Sequence, residues 1–180
     1  MTVWQNQPII RVRKRQIFFI NISAGVGGKC SMEGKRLTSY AMEELECPKC
    51  GHKHSLKKYK VINVTEKAKL KEEIMKNRLY QFSCEECEYM APLTYDSLYV
   101  DSRKNIMIYM APVMNAEIKV EIAELEQEKG IDKRLVDNIN DLKEKIMIVD
   151  NHLDDRVIEI IKIMYLDQIK KEMEDDTLLN

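Results

Sequence analysis

Short runs of apolar residues recur through the middle of the chain and predict a β-sheet. They are rich in β-branched and aromatic residues and are separated by polar turns, which is typical of strands. The polar sequence Asp101-Ser-Arg-Lys-Asn105 predicts the turn of a hairpin between two of them. The predicted strands cover residues 54–64, 79–83, 88–93, 97–101 and 105–110.

Helical spacing occurs once within this region and then dominates the last third of the chain. Residues 66–77 place Leu70 and Ile74 on one face, and Thr65 is available as the N-cap. A capping box of Asp141 and Glu144 predicts the start of a later helix. The later helices are predicted over 115–129, 141–150 and from 154 or 155 to about 173, with 134–136 as a short extended link.

The last predicted helix is apolar around more than one face. A helix of this kind must be covered on two sides. The preceding helix can cover one side, and the sheet or a second copy of the chain must cover the rest. Homo-oligomerisation through this helix is therefore one expectation. Its apolar residues are Leu153, Val157, Ile158, Ile160, Ile161, Ile163, Met164, Leu166 and Ile169.

Charge divides the chain near residue 41. The whole chain of 180 residues has a net charge of -1, which argues against bulk DNA as a partner. Residues 1–41 nevertheless contain seven basic residues and one acidic residue. Two interpretations of this basic leader stay open. It is translated upstream sequence, disordered or not native to the protein, or it is a basic arm with a short strand near Ile17–Ile22. The remaining regions are a four-cysteine α+β domain over 42–112, a helical region over 113–174 that packs on it, and a tail over 175–180.

The cysteine pattern and the lack of a long apolar run indicate a cytoplasmic protein. Five cysteines are an odd number, and disulfide-stabilised secreted domains usually have an even one. The one candidate export signal, over residues 11–22, has an interrupted apolar part. No run approaches the roughly 20 apolar residues of a membrane span, so no membrane partner is expected.

Four of the cysteines form two C-x-x-C pairs, Cys47 with Cys50 and Cys84 with Cys87. Two such turns can deliver four thiolates to one tetrahedral ion, which favours Zn²⁺. Iron in a rubredoxin-like site would use the same thiolates and stays an alternative. Four cysteine ligands leave no open coordination position, so a structural role is favoured over catalysis. Thiol–disulfide chemistry ranks last, because it normally uses a pair at the start of a helix.

The two cysteine turns are unequal. Pro48 and Gly51 suit the first turn, whereas Glu88 replaces the glycine of the second. A non-glycine residue in a left-handed conformation costs roughly 1 kcal/mol. Glu88 and the neighbouring residues 85 and 86 add negative charge to a dianionic centre and should face solvent. Balancing positive charge can come from Lys49, His52, Lys53 and His54.

The chain resembles the CpXC domain family over residues 43–170, and the leader shows no resemblance. The resemblance implies a metal-binding domain of bacteria or archaea, with the four cysteines as ligands, and implies no particular activity. One departure is the missing proline in the second cysteine turn. The matching segments are Cys47-Pro-Lys-Cys-Gly51, Val61-Ile-Asn63, Phe82-x-Cys84-x-x-Cys87, Leu98-Tyr-Val-Asp101, residues 105–112, Leu142-Lys-Glu-Lys-Ile146 and Leu153-Asp-Asp-Arg-Val-Ile-Glu159.

Three other groups of residues have simple structural explanations. A basic strip from His52 to Lys60 could contact nucleic acid, but it is more often a solvated strand face. Tyrosines and Phe82 between residues 80 and 109 could stack bases, but they are better explained as core residues. Acidic residues at 150, 154, 155 and 159 could bind a second cation, but those at 154 and 155 are better explained by helix capping and the helix dipole. No catalytic triad, phosphate-binding loop or H-E-x-x-H motif occurs.

The sequence therefore predicts an α+β protein: a zinc-ribbon-like antiparallel sheet with an inserted helix, followed by a helical C-terminal part. Its predicted function is that of a zinc-binding, non-enzymatic interaction or regulatory module with a protein partner. The alternative is a nucleic-acid-associated zinc ribbon. A thiol redox protein or a rubredoxin-like iron protein is the third hypothesis.

Overall fold

The computed structural model describes residues 36–177, and the side chains of residues 36–173. The strand predicted near residues 17–22 and the fifth cysteine, Cys30, lie outside these residues. Two sheets are present within them. The strands are β1 (Ser39–Glu46), β2 (Lys53–Asn63), β3 (Gln81–Ser83), β4 (Met90–Pro92), β5 (Ser97–Asp101), β6 (Ile106–Met110) and β7 (Asp132–Val136).

Helices cover the larger sheet on both faces. Buried residues of α1 and α3 pack with Ile62, Ile108 and other side chains on one face. Ile118 and Leu125 of α2 pack with Leu98 on the other. The central strands β5 and β6 are consequently buried along their whole length. The helices are α1 (Lys69–Met75), α2 (Ala116–Glu126), α3 (Ile139–Asp150) and α4 (Asp155–Thr177), and a short 3-10 helix spans Arg78–Tyr80.

The α+β class is confirmed, but the larger sheet is mixed, not antiparallel throughout. Its strand order is β1-β2-β5-β6-β7, and the pairs β2/β5 and β6/β7 are parallel. Each parallel pair is joined by a crossover: α1 with β3 and β4 lies between β2 and β5, and α2 lies between β6 and β7. The region with the cysteines and the helical region thus share one sheet.

Two strands and two helix starts differ from the sequence-based expectations. Strand β1 was not predicted, because all of its residues except Leu45 are exposed and no apolar alternation marks it. Residues 134–136 belong to the sheet strand β7 and are not a simple link. Helix α1 begins after Ala68, while Thr65 accepts a hydrogen bond from the Ser102 backbone N–H. Helix α3 is capped by Asn138, which accepts from the Asp141 N–H.

The first hairpin extends beyond the larger sheet. Strand β2 pairs with β1 along Lys53–Val61 but with β5 only at Val61–Asn63. The end that carries the turn after Glu46 is therefore a two-stranded ribbon. The β3–β4 hairpin forms the separate small sheet. A two-stranded hairpin is at best marginally stable by itself in water, so both hairpin ends need further support.

Candidate metal centre

The four predicted ligands lie at the tips of these two hairpins. Cys47 and Cys50 occupy the turn between β1 and β2, and Cys84 and Cys87 occupy the turn between β3 and β4. Neither pair opens a helix, which is the arrangement expected for metal-binding turns and not for a thiol–disulfide active site.

Both turns have the same backbone hydrogen bonds. The Cys47 N–H donates to the His52 carbonyl at 2.8 Å, and the Gly51 N–H donates to the Cys47 carbonyl at 2.9 Å. In the second turn the equivalent bonds are Cys84 N–H to Tyr89 and Glu88 N–H to Cys84, at 2.8 and 3.0 Å. Two turns that share only the C-x-x-C spacing thus adopt the same local structure, and each presents two sulfurs.

The four sulfur atoms form one cluster. The Sγ atoms of Cys47 and Cys87 are 3.6 Å apart, as are those of Cys50 and Cys84, and all four lie within 4.8 Å of one another. A tetrahedral zinc site with Zn–S bonds of about 2.3 Å has sulfur–sulfur edges of about 3.8 Å. A disulfide would require about 2.05 Å. The cluster has the dimensions of a four-thiolate metal site, and the predicted site residues are brought together.

The cluster is buried on one side and open on the other. Cys47 and Cys84 are buried in a small cluster with Phe82, while Cys50 is exposed. Burial raises the pKa of Cys47, but N–H groups of residues 50 and 49 donate to its sulfur and lower that pKa to about 7. The His52 N–H lowers the pKa of Cys50, but partial loss of water around its sulfur and the neighbouring sulfurs outweigh it and raise the pKa to about 12. A bound cation would stabilise all four as thiolates.

A histidine contacts one of the ligands. His54 Nε2 lies 3.1 Å from the Sγ of Cys84, and the ring is held edge-on against Phe82, with centroids 5.5 Å apart. When Nε2 carries its hydrogen, it donates to the thiolate and offsets part of the charge of the centre. His54 was expected only to contribute charge. Its direct contact could not be found from spacing, because it depends on how the two hairpins meet.

We expect His54→Ala to weaken metal binding by roughly tenfold to a hundredfold, the usual effect of losing a hydrogen bond to a ligand. Competition with a chromophoric chelator would measure the affinity. His52→Ala is the matched control. It removes a neighbouring imidazole that is exposed and packs on the His54 ring. His54→Gln, which keeps an N–H donor, should recover part of the loss. Equal affinities for the His54→Ala variant and the wild type would disprove the role of this contact.

Glu88 has the strained conformation that the sequence predicted. Its φ is 55°, close to the 72° of Gly51 at the equivalent place in the other turn. The side chains of residues 85, 86 and 88 are exposed, as expected for carboxylates beside a dianionic centre.

Replacing Glu88 by glycine should stabilise the metal-loaded protein by about 0.5–1 kcal/mol, because the left-handed conformation then costs nothing. Denaturant unfolding would measure the change. Glu86→Gly removes the same charge in the same turn without a positive φ to relieve, so it should be neutral or destabilising. Equal effects of the two substitutions would argue against backbone strain.

The other candidate groups are explained by packing and ion pairing. Tyr80, Phe82, Tyr95, Tyr99 and Tyr109 are buried, so they are core residues and not a stacking surface. The acidic residues at the α3–α4 junction all have cationic partners. These pairs are Asp150 with Lys104 at 2.5 Å, Asp154 with Arg156 at 2.7 Å, Asp155 with Arg134 at 2.7 Å and Glu159 with Lys145 at 3.1 Å.

Three lysines of the basic strip, at positions 57, 58 and 60, are also partnered. Lys58 pairs with Glu43 at 2.5 Å and Lys60 with Asp96 at 2.8 Å. The ammonium of Lys57 lies 4.0 Å above the centre of the Tyr40 ring. Strand β1 places several glutamates beside β2. The strip is therefore a surface of mixed charge.

The α+β scaffold thus carries four cysteines, at the tips of two hairpins, in position to bind a metal ion. Residues 45–162 match the sequence model of the family described as CpXC protein, and the chain belongs to this family. The resemblance seen in the sequence is thereby confirmed. No curated protein and no solved structure matches significantly. Among the helices within residues 36–177, none has the length and hydrophobicity needed to cross a membrane.

Proposed function

We propose that the four cysteines bind one Zn²⁺ ion and that this ion has a structural role. The observation that carries the proposal is that two separate hairpins contribute all four sulfurs, within 4.8 Å of one another. Four thiolates fill a tetrahedral coordination sphere, and no position is left for a substrate. The bound ion would supply the cross-link between the two hairpin ends.

The packing around the cysteines supports a structural role. Among the described residues, the buried cluster at the hairpin tips contains Phe82 besides Cys47 and Cys84, with Leu56, Cys87 and Tyr89 partly buried against it. So few apolar contacts leave the junction weak without a cross-link, and the β3–β4 sheet has only two strands. A structural zinc can add about 10–16 kcal/mol of binding free energy to folding in small domains.

Zinc is preferred to iron on affinity. Tetrahedral thiolate sites suit both metals, but Zn²⁺ binds nitrogen, oxygen and sulfur ligands more tightly than Fe²⁺ does. Elemental analysis of the protein purified without added metal tests this choice. One zinc per chain is expected, and one iron per chain would replace zinc in the proposal. A stoichiometry near zero for every metal would refute the metal site.

The protein itself would act as a non-catalytic interaction module whose partner is a protein. The mixed charge of the β1–β2 ribbon favours this partner over nucleic acid, because the pairs Lys58–Glu43 and Lys60–Asp96 neutralise much of the basic strip. Tyr40 and Met42 are exposed on the same ribbon and offer apolar contact area.

Binding to single- and double-stranded nucleic-acid probes at low salt tests the competing function. We expect none of the steep salt dependence that phosphate contacts produce. Affinity that falls steeply with added salt would favour the nucleic-acid-associated zinc ribbon over the protein-interaction module.

A further inference from the structure

Helix α4 is attached to the rest of the protein by charged side chains. Lys145 Nζ on α3 lies 3.1 Å from carboxylate oxygens of both Asp155 and Glu159. One turn further along α4, the Nζ of Lys162 lies 2.9 Å from a carboxylate oxygen of Glu144 on α3. The buried side chains of Leu142 and Ile146 on α3 pack in the core against the sheet.

The other side of α4 is apolar and exposed. Val157, Ile161 and Met164 are 52, 54 and 67% exposed. At 100° per residue, these three side chains share a stripe that points away from Glu159 and Lys162. A helix that uses its polar side to contact its own domain and exposes an apolar stripe is typical of an interaction surface.

The stripe continues at both ends with oppositely charged residues. Its positions are spaced by three and four residues alternately, the spacing of a helix that packs against another helix. The two ends carry Asp154 and Lys171, and the three apolar residues lie between them. The full stripe is Asp154, Val157, Ile161, Met164, Gln168 and Lys171.

We propose that α4 pairs in antiparallel orientation with α4 of a second copy of this chain. When Asp154 lies opposite Lys171 of the other copy, Ile161 lies opposite Met164 and Val157 opposite Gln168. The two-fold axis makes both halves of the interface identical, so two Asp154–Lys171 pairs form. A parallel pair would place aspartate against aspartate and lysine against lysine. The charge pattern selects the antiparallel dimer.

The exposed area is sufficient for a reversible dimer. Ile160 and Tyr165 flank the stripe and are also more than half exposed. With the three stripe residues they offer, at roughly 100 Å² each, about 500 Å² per copy. Weak specific complexes bury less than about 1,200 Å² in total, so a dissociation constant on the order of micromolar is expected.

Existing contacts of the two end residues do not prevent this pairing. Asp154, which immediately precedes α4, contacts Arg156 at 2.7 Å, and Lys171 contacts Asp167 within α4 at 2.8 Å. Both pairs are exposed, and exposed pairs of this kind contribute about 0–1 kcal/mol. Each residue can therefore exchange or share its partner when the second helix approaches.

Sedimentation velocity of the full, metal-loaded chain tests the proposal. We expect a dimer whose population rises with concentration through the micromolar range, and Ile161→Glu should weaken it by about a hundredfold or more. Ile163→Glu is the matched control, since Ile163 is similarly exposed but lies on the other side of α4. It should leave dimerisation unchanged. A chain that remains monomeric at about 100 µM would overturn the proposal. It would do so even if the apolar stripe of α4 bound lipid vesicles instead.

The orientation is tested by charge reversal and by cross-linking. Lys171→Glu should weaken the dimer about fivefold in the antiparallel register, and Asp154→Lys with Lys171→Glu should restore it. Within one helix these residues are about 25 Å apart, so a zero-length carbodiimide cross-link between them must join two chains. Dimers without this cross-link, with unchanged affinity for Lys171→Glu, would overturn the antiparallel arrangement.

Discussion

Cys84→Ser is expected to abolish both metal binding and the folded state of the cysteine-bearing hairpins. Cys84 is buried, its sulfur lies 3.6 Å from that of Cys50, and it also accepts the contact from His54. A hydroxyl is a poor substitute for a thiolate on zinc, so the variant loses the cross-link. Whole domains are stable by about 5–15 kcal/mol, the same range as the binding free energy of a structural zinc.

Two measurements check this expectation. Metal content should fall from one ion per chain to near zero, and the unfolding midpoint should fall by at least about 15 °C. Chelation of the wild-type protein should have the same effect on the midpoint. Cys30→Ser is the matched control, because Cys30 is not one of the four clustered cysteines. Full metal content with an unchanged midpoint in the Cys84→Ser variant would refute a structural metal at this site.

The cluster of four cysteines was predictable because its signal is local. A C-x-x-C turn brings two sulfurs together over four residues, whatever the rest of the chain does. Gly51 and Glu88 mark equivalent positions in the two turns, and both have positive φ. His54 was not predictable as a ligand contact, because its distance to Cys84 depends on the packing of one hairpin against the other.

The sheet topology was less predictable than its strands. Strands β5 and β6 were predicted well because β6 is a continuous apolar run, β5 has three consecutive apolar residues at its centre, and both are buried on both faces. Strand β1 lies at the edge of the sheet with both faces largely exposed, so its sequence lacks the alternation that identifies strands. Parallel pairing of β2 with β5 depends on the route of the chain through α1 and the small sheet, and no local pattern encodes that route.

The position of α4 also depends on contacts that sequence spacing does not reveal. The apolar character of this helix was evident, but its attachment through Lys145 was not. This lysine is nearly buried and faces both Asp155 and Glu159, as well as Glu144 at 3.4 Å. It is the centre of an ionic network that joins α3 to the start of α4.

The pKa shifts of Lys145 and Glu159 define the pH range in which this network stabilises the fold. Burial lowers the pKa of Lys145, but the carboxylates of Asp155 and Glu159 outweigh it and raise that pKa. Burial raises the pKa of Glu159, but Lys145 and Lys162 outweigh it and lower that pKa. The contribution of Glu159 to folding stability is complete above its pKa of about 4.3 in the unfolded chain, and it is lost as the pH falls. The contribution of Lys145 is complete below its unfolded pKa of about 10.4, and it is lost as the pH rises. At pH 7 both are complete.

Lys145→Met should destabilise the protein by about 2–4 kcal/mol at pH 7. Methionine preserves the packing of the side-chain stem, but it removes the buried cation from two poorly solvated carboxylates, which keep only the more exposed Arg134 and Lys162 as partners. Lys162→Met is the matched control: it removes a lysine from the same network, but its side chain is 30% exposed, compared with 9% for Lys145. Water can replace much of what it loses, so about 1 kcal/mol or less is expected. Denaturant unfolding of the metal-loaded variants measures both changes, and equal losses would show that the network is held by surface pairing and not by the buried lysine.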